Sequence, residues 1–244
     1  MTWARPLVTV SQSRAKRASS ERRGAISSIK TGRPGDAWMS CVLHLLNASG
    51  RLDPWRAILE KTFTDALPRI AAHLPEQRID VVVQAGAWVI PELGLNGYSP
   101  DAERVFLTLD PDSPHLQQAF PDHFTALLGH ELHHCLRHAG PGYGSTLGED
   151  LVSEGLACQF ERELTGRLPF YAQAAPQDMA AHWEALGAEL DQPYDHARWF
   201  FGSGDLPRHL GYALGSWRVG RYLQRHGLTA ATSGQRPADT FLTG

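Results

Sequence analysis

The segment Leu128 to His138, LGHELHHCLRH, holds His130, Glu131 and His134 in the order H-E-x-x-H. On an α-helix successive side chains turn by about 100°, so residues four apart lie only about 40° from each other, one turn up the same face. The imidazoles of His130 and His134 can therefore reach one ion, and two nitrogen ligands at this spacing suit zinc. On the same helix Phe124, Leu128, Leu132, Cys135 and Leu136 make an apolar stripe roughly opposite the two histidines. The competing reading is a solvated helix face that happens to be rich in histidine, since His133 and His138 flank the motif. Those two are read as neighbours without a role.

A catalytic zinc takes a third protein ligand, commonly a carboxylate, and keeps one position open. Glu154, in EDLVSEGLACQF, follows His134 after 19 intervening residues. That length is enough to finish one helix, turn through AGPGYGS and return alongside it. His130, His134 and Glu154 are thus the candidate metal ligands, and the third member makes the site testable.

HELHH followed by TLGEDLVSEGLACQF resembles the gluzincin peptidases, which are thermolysin-like in ligand order: two histidines on one helix and a glutamate on the next. More closely, GHELHHCLRHAG, LVSEGLA and GYALGSWRVGRYL resemble a bacterial family of predicted Zn-dependent proteases, over about Met39 to Leu223. The resemblance implies a zincin-like fold, zinc on His130, His134 and Glu154, and Glu131 as general base. It also implies a peptide or protein substrate. One position departs from the thermolysin-like pattern: one turn after the ligand glutamate, where an acid supports a zinc-bound histidine, this chain has Cys158. Support has to come from elsewhere. Asp150, one turn before Glu154, is the expected partner, with Glu161 behind it.

In that chemistry a water acidified by zinc gives its proton to Glu131, which passes it to the leaving amine while the metal polarises the scissile carbonyl. Tyr212 in HLGYALG is the expected second catalytic residue, donating to the tetrahedral oxyanion, with His209 as a weaker candidate. Gly211 and Gly215 are expected to allow close helix packing. By the gluzincin analogy the strand RVFLTL borders the cleft as a sheet edge that pairs with an extended peptide. His123, two turns before His130, is a candidate for the cleft rim. Two other readings stay open: a zinc-binding regulatory or interaction module, and a zinc hydrolase of a non-peptide substrate. Glu131, which only catalysis requires, argues against the first.

The elements that must hold these residues are legible in the pattern. Helices are expected over about 122–137, 146–164, 176–190 and 207–224, with Thr146 and Glu149 as a capping box and Gly140-Pro141-Gly142 ending the helix before it. Ahead of them come a short strand in CVLHLL from about Met39, a helix from Pro54 to His73 and strands at 79–84 and 105–109. Strands first and helices afterwards make an α+β chain: a small N-terminal sheet packed on a mainly helical C-terminal half. Of 244 residues 42% are hydrophobic, which suffices for a core. The three cysteines, Cys41, Cys135 and Cys158, are too few and too scattered for a disulfide framework and read as small buried hydrophobes.

The net charge of −3 conceals an asymmetry. Residues 1–35 hold eight Lys or Arg against the single acid Glu21, leaving 15 basic and 25 acidic residues in the remainder. A body that acidic is a poor partner for nucleic acid. There is no apolar run long enough for a membrane span and no apolar leader, so a cytoplasmic protein is expected. The expected divisions are a disordered basic extension over 1–38, a metallopeptidase domain over 39–228 and a tail over 229–244.

Overall fold

Apolar residues alternate along three segments of the first half, and each becomes a strand with its apolar face on the core. A computed structural model of the chain describes residues 27–30, 39–173 and 176–243. Strands β1 (Ser27–Lys30), β2 (Ser40–Leu46), β3 (Arg78–Ala85), β4 (Leu95–Tyr98) and β5 (Arg104–Leu109) form one mixed sheet in the order β1-β2-β3-β5-β4. On β3, Ile79, Val81 and Val83 are buried while Asp80 points out. Strands β2, β3 and β5 run parallel, and β1 and β4 pair antiparallel at the two edges. Helix α1 (Arg56–Ala71) makes the crossover between β2 and β3 and covers the sheet with Leu59, Phe63, Leu67 and Ile70.

The strand at 104–109 is not the edge. It lies inside the sheet between β3 and β4, and β4 is the edge strand. Its sequence, LNGY followed by Ser99-Pro100, is rich in residues that disfavour strands, which is why it reads as a turn. Pairing on one side only makes such residues tolerable.

Helix α2 (Pro114–His138) is broken at Ala119 (φ −145°, ψ 32°), with Pro121 two residues further on. The expected apolar stripe from Phe124 to Leu136 is buried, and so are His130, Glu131, His133, His134 and Arg137. The solvated-face reading is thereby removed. Helix α3 (Leu147–Thr165) begins with the expected capping box, Thr146 accepting from the Glu149 amide while the Glu149 carboxylate accepts from the Thr146 amide, and ends on left-handed Gly166.

Helices α4 (Pro176–Leu186) and α5 (Leu210–His226) complete the helical half. Gly215 packs against α3 as expected: a Cβ there would lie 3.2 Å from the Gly155 nitrogen, with the Leu151 carbonyl closer still. Gly211 instead faces the Phe200 ring. One core joins the sheet to α1, α2 and α3; a second gathers Leu147, Leu151, Trp199, Phe200, Leu210 and Leu214.

Two short helices, α6 (Ala230–Ser233) and α7 (Asp239–Leu242), fold back onto α2 and α3, burying Ala230 and Phe241. His133 donates from Nε2 to the Ala230 carbonyl at 3.1 Å, and buried Arg137 donates to the carbonyls of Gly234 and Arg236 at 3.1 Å each. The expected tail is therefore packed chain, and His133 has a structural task. Of the expected disordered extension, residues 27–30 form β1 and the rest lies outside the described residues. Among the described residues no helix is long and apolar enough to cross a membrane.

Candidate metal centre

An eight-residue connection between α2 and α3 forces the helices antiparallel, so positions descending on α2 meet positions ascending on α3. Arg137 Nε donates to Ser153 Oγ at 2.9 Å, and both motif histidines face Glu154. His130 Nε2 is 3.2 Å from Glu154 Oε2, and His134 Nε2 is 3.5 Å from Glu154 Oε1. The three expected ligands thus offer atoms that all lie within 4.8 Å of one another, all buried. Bonds of about 2.0–2.2 Å to a tetrahedral ion separate neighbouring ligand atoms by about 3.3–3.5 Å, so the spacing fits zinc.

The donor chemistry agrees. His130 Nδ1 lies 2.7 Å from Glu161 Oε1 and donates to it, which leaves the Nε2 lone pair aimed at a second carboxylate. A buried carboxylate facing this nitrogen calls for positive charge between them, supplied by a metal cation or, without one, by a proton on the imidazole, whose pKa burial lowers but Glu154 and Glu161 raise to well above its ordinary value. Burial pushes the Glu154 carboxyl up in pKa, but the two imidazoles outweigh this and hold it well below the ordinary range. A second cluster, His130, Cys158 and Glu161, is also close-knit. There the 2.7 Å contact is a hydrogen bond too short to admit an ion, and the Tyr171 hydroxyl donates to the same Glu161 oxygen at 2.5 Å.

Glu161, and not Asp150, is therefore the supporting carboxylate that touches a candidate ligand, His130. Asp150 lies four residues earlier on α3, toward the far end of α2, and accepts from the Tyr194 hydroxyl and from His196 Nδ1 at 3.1 Å. His134 Nδ1 is buried without a hydrogen-bond partner among the described residues. Glu154 accepts from the hydroxyl of Tyr143, a loop residue outside any periodic pattern, whose ring packs on His134 and stacks on His138.

Glu131 sits beside the candidate ligands and outside their cluster. Ser99 Oγ donates to its Oε2 at 2.8 Å and lies 2.9 Å from its main-chain carbonyl. Strand β4 passes directly over it, since a Cβ on Gly97 would fall 2.7 Å from Glu131 Cγ and 2.8 Å from Cδ. Burial raises the Glu131 carboxyl above its ordinary pKa, against the pull of His134 and His130.

Around these residues opens a cleft of about 770 Å³, lined by β4 on one side and by Tyr212, His196 and His209 on the other. Tyr212 is half-buried, and burial together with Glu154 keeps its hydroxyl protonated well above the ordinary range. His209, in the left-handed region at φ 71°, caps the start of α5 and packs on Tyr171 and Tyr212. His138 also lines the cleft, its Nε2 donating to the Ser99 carbonyl at 3.1 Å. His123 does not: it lines a separate cavity with Arg69 and Arg167. Ser99, Tyr143 and Tyr171 were not singled out from sequence, and only Glu161 left a usable signal, seven residues beyond Glu154 and so on the same helix face.

A comparison with curated proteins finds no match. Among solved structures, an aminopeptidase N family protein from Idiomarina loihiensis is similar at 15% identity and a TM-score of 0.43, over 88% of this chain and 40% of that one. The chain thus spans less than half the length of that structure. Residues 59–243 match the family described as predicted Zn-dependent protease, DUF2268, a span that contains all three candidate ligands and Glu131. With zinc named in the family's description and a donor set that fits it, the chain belongs to this family of predicted Zn-dependent proteases.

Proposed function

We propose that this protein is a gluzincin-type metallopeptidase that hydrolyses peptide bonds, with His130, His134 and Glu154 holding zinc and Glu131 as general base. The observation that carries the reading is the convergence of two Nε2 atoms on the two oxygens of Glu154 at 3.2 and 3.5 Å, with a non-coordinating buried carboxylate one residue from the first ligand.

Zinc bound there supplies Lewis acidity toward the scissile carbonyl and lowers the pKa of water to about 7. The protein's own groups do the rest. Glu131, oriented by Ser99, takes the proton of the attacking water on its carboxylate and returns it to the departing amine. Tyr212, held protonated on the far wall, donates to the developing oxyanion. Glu161 fixes the tautomer and ring angle of His130, and Tyr143 fixes Glu154.

A peptide is favoured over other substrates by β4. Among the described residues Ile90 bridges only its first residue, Leu95, so the backbone of Asn96 to Tyr98 remains an edge beside Glu131 with which an extended chain can pair. The test is metal analysis together with Glu131→Gln. Purified protein should carry about one zinc per chain, and Glu131→Gln should keep the zinc while losing hydrolysis of a mixed peptide library. A metal-free protein from zinc-replete growth, or full activity in Glu131→Gln, refutes the proposal. Glu154→Ala should release zinc to a chelator that wild type resists.

A further inference from the structure

The walls of the cleft carry an unusual distribution of charge and apolar surface. Six large hydrophobic side chains are exposed among the described residues, and three of them line this one cleft: Trp88 (66% exposed), Tyr98 (58%) and Phe201 (50%). All three are aromatic. They come from separate places, Trp88 from the loop after β3, Tyr98 from the end of β4 and Phe201 from the π-type turn at Ala197–Phe201, so both lips of the cleft are aromatic. Exposed aromatic surface gathered at the mouth of a polar site is binding surface.

Charge in the cleft is spoken for. Glu131 and Glu154 are the only carboxylates among the described lining residues, one hydrogen-bonded to Ser99 and the other between the two imidazoles and Tyr143. Arg208 is the only Lys or Arg there, and it is closed in a two-point ion pair with Glu92 at 2.6 and 3.2 Å. His196 is paired with buried Asp150. Among the described residues a free α-ammonium group drawn into the cleft would find no carboxylate left without a partner, and a free α-carboxylate no unpaired Lys or Arg. A charge desolvated without a partner is strongly disfavoured.

We infer that the cleft takes an internal, uncharged stretch of polypeptide with aromatic or large aliphatic side chains beside the scissile bond, making the enzyme an endopeptidase that does not read chain termini. The inference rests on the peptidase reading above and adds the substrate class. Trp88, Tyr98 and Phe201 are its specificity-determining residues, receiving side chains that project from a backbone laid along Asn96 to Tyr98.

The test uses the zinc-loaded full chain and short quenched peptides that differ only at the two central positions (Phe, Leu, Ala, Asp or Lys), each made with free ends and with acetylated and amidated ends. Blocking both ends should leave kcat/KM within about threefold, and central Phe or Leu should exceed Asp or Lys by at least about tenfold. Phe201→Ala and Trp88→Ala should each lower the ratio of Phe to Ala peptides by about tenfold. Calorimetric titration of zinc-loaded Glu131→Gln should show the same ranking in affinity without turnover. Stepwise release of residues from free-ended peptides alone, or a preference for charged centres, overturns the inference and leaves the peptidase reading standing. Failure of every peptide to be cleaved by wild type, and to bind Glu131→Gln, overturns both.

Discussion

Gly97 offers the sharpest test of the geometry around Glu131. Its backbone is not in the left-handed region, so Gly97→Ala is conformationally permitted and acts only through the added methyl group. That methyl would sit 2.7 Å from Glu131 Cγ and 2.8 Å from Cδ, with Oε1 nearer still. Non-bonded carbons rest at about 3.5–4.0 Å, so strand or side chain must yield by about 1 Å. Glu131 has little room to yield, being 4% exposed and tied at its far end to Ser99. A displacement of about 1 Å in a catalytic group costs about 100-fold in rate, and overpacking costs about 1–3 kcal/mol in stability. Gly97→Ala should therefore lose about two orders of magnitude in kcat/KM while keeping its zinc, because the methyl group touches none of the ligands. A double-mutant cycle isolates the cause. In a Glu131→Ala background the methyl has nothing to strike, so the stability cost of Gly97→Ala, read as a shift in urea midpoint, should largely vanish. An equal cost in both backgrounds, or wild-type activity in Gly97→Ala, refutes the reasoning.

Three further outcomes follow from other contacts. Glu161→Ala should weaken zinc binding by about 10–100-fold in chelator competition, whereas Asp150→Asn should change it by less than about threefold; the reverse order would restore Asp150 as the supporting acid. All three cysteines are buried and free, and burial pushes the Cys41 thiol up to about 12 from 9.0, so no thiol should react with a disulfide reagent at neutral pH until the chain is unfolded. The sign with pH follows: above pH 9 the unfolded Cys41 ionises and the folded one does not, so its contribution is intact below pH 9 and about 4 kcal/mol is lost by pH 12, and a Cys41→Ala variant should show a shallower alkaline loss of stability. Removing residues 229–244 strips two carbonyl acceptors from buried Arg137, each worth about 1.5–3 kcal/mol to a charged donor, and an unchanged urea midpoint in that truncation would show that the segment is not part of the folded unit.

Much of the site was legible because helices convert spacing into geometry. His130, His134 and Glu154 follow from one helical turn and one helix-turn-helix length, and the capping box at Thr146 marks where the second helix starts. Glu161 stands behind Asp150 in the reading of the sequence, and the same reasoning carried further ranks it first. Asp150 and Glu161 both share the face of Glu154, and a short connection makes α2 and α3 antiparallel, so the later residue on α3 must meet the earlier histidine on α2. Direction along the hairpin, not facing, separates the two acids. Strand β4 was hidden for a different reason: LNGY has the composition of a turn, and only its pairing with β5 makes it a strand. Ser99 and Tyr143 carry no periodic signal at all, because loop residues reach a site through tertiary contacts that spacing does not encode.

Those unseen loop contacts form a connected path from residues 234–236 to the candidate ligand Glu154. The carbonyls of Gly234 and Arg236 accept from Arg137, Arg137 donates to Ser153 Oγ, Ser153 donates to the Tyr143 carbonyl, and the Tyr143 hydroxyl donates to Glu154. Every link is a directed hydrogen bond, and three of the side chains involved, Arg137, Ser153 and Glu154, are buried. Burying a guanidinium is unfavourable enough to lower the Arg137 pKa to about 10, so its acceptors are held to their positions by the cost of leaving it unpaired. The loop carrying Tyr143 has Gly142 and Gly144 on either side, both with positive φ, and would otherwise be free to vary. Anchored through Ser153, it presents one hydroxyl to one ligand oxygen. The residues after Gly227, which show no pattern in sequence, thereby help hold Glu154 in place.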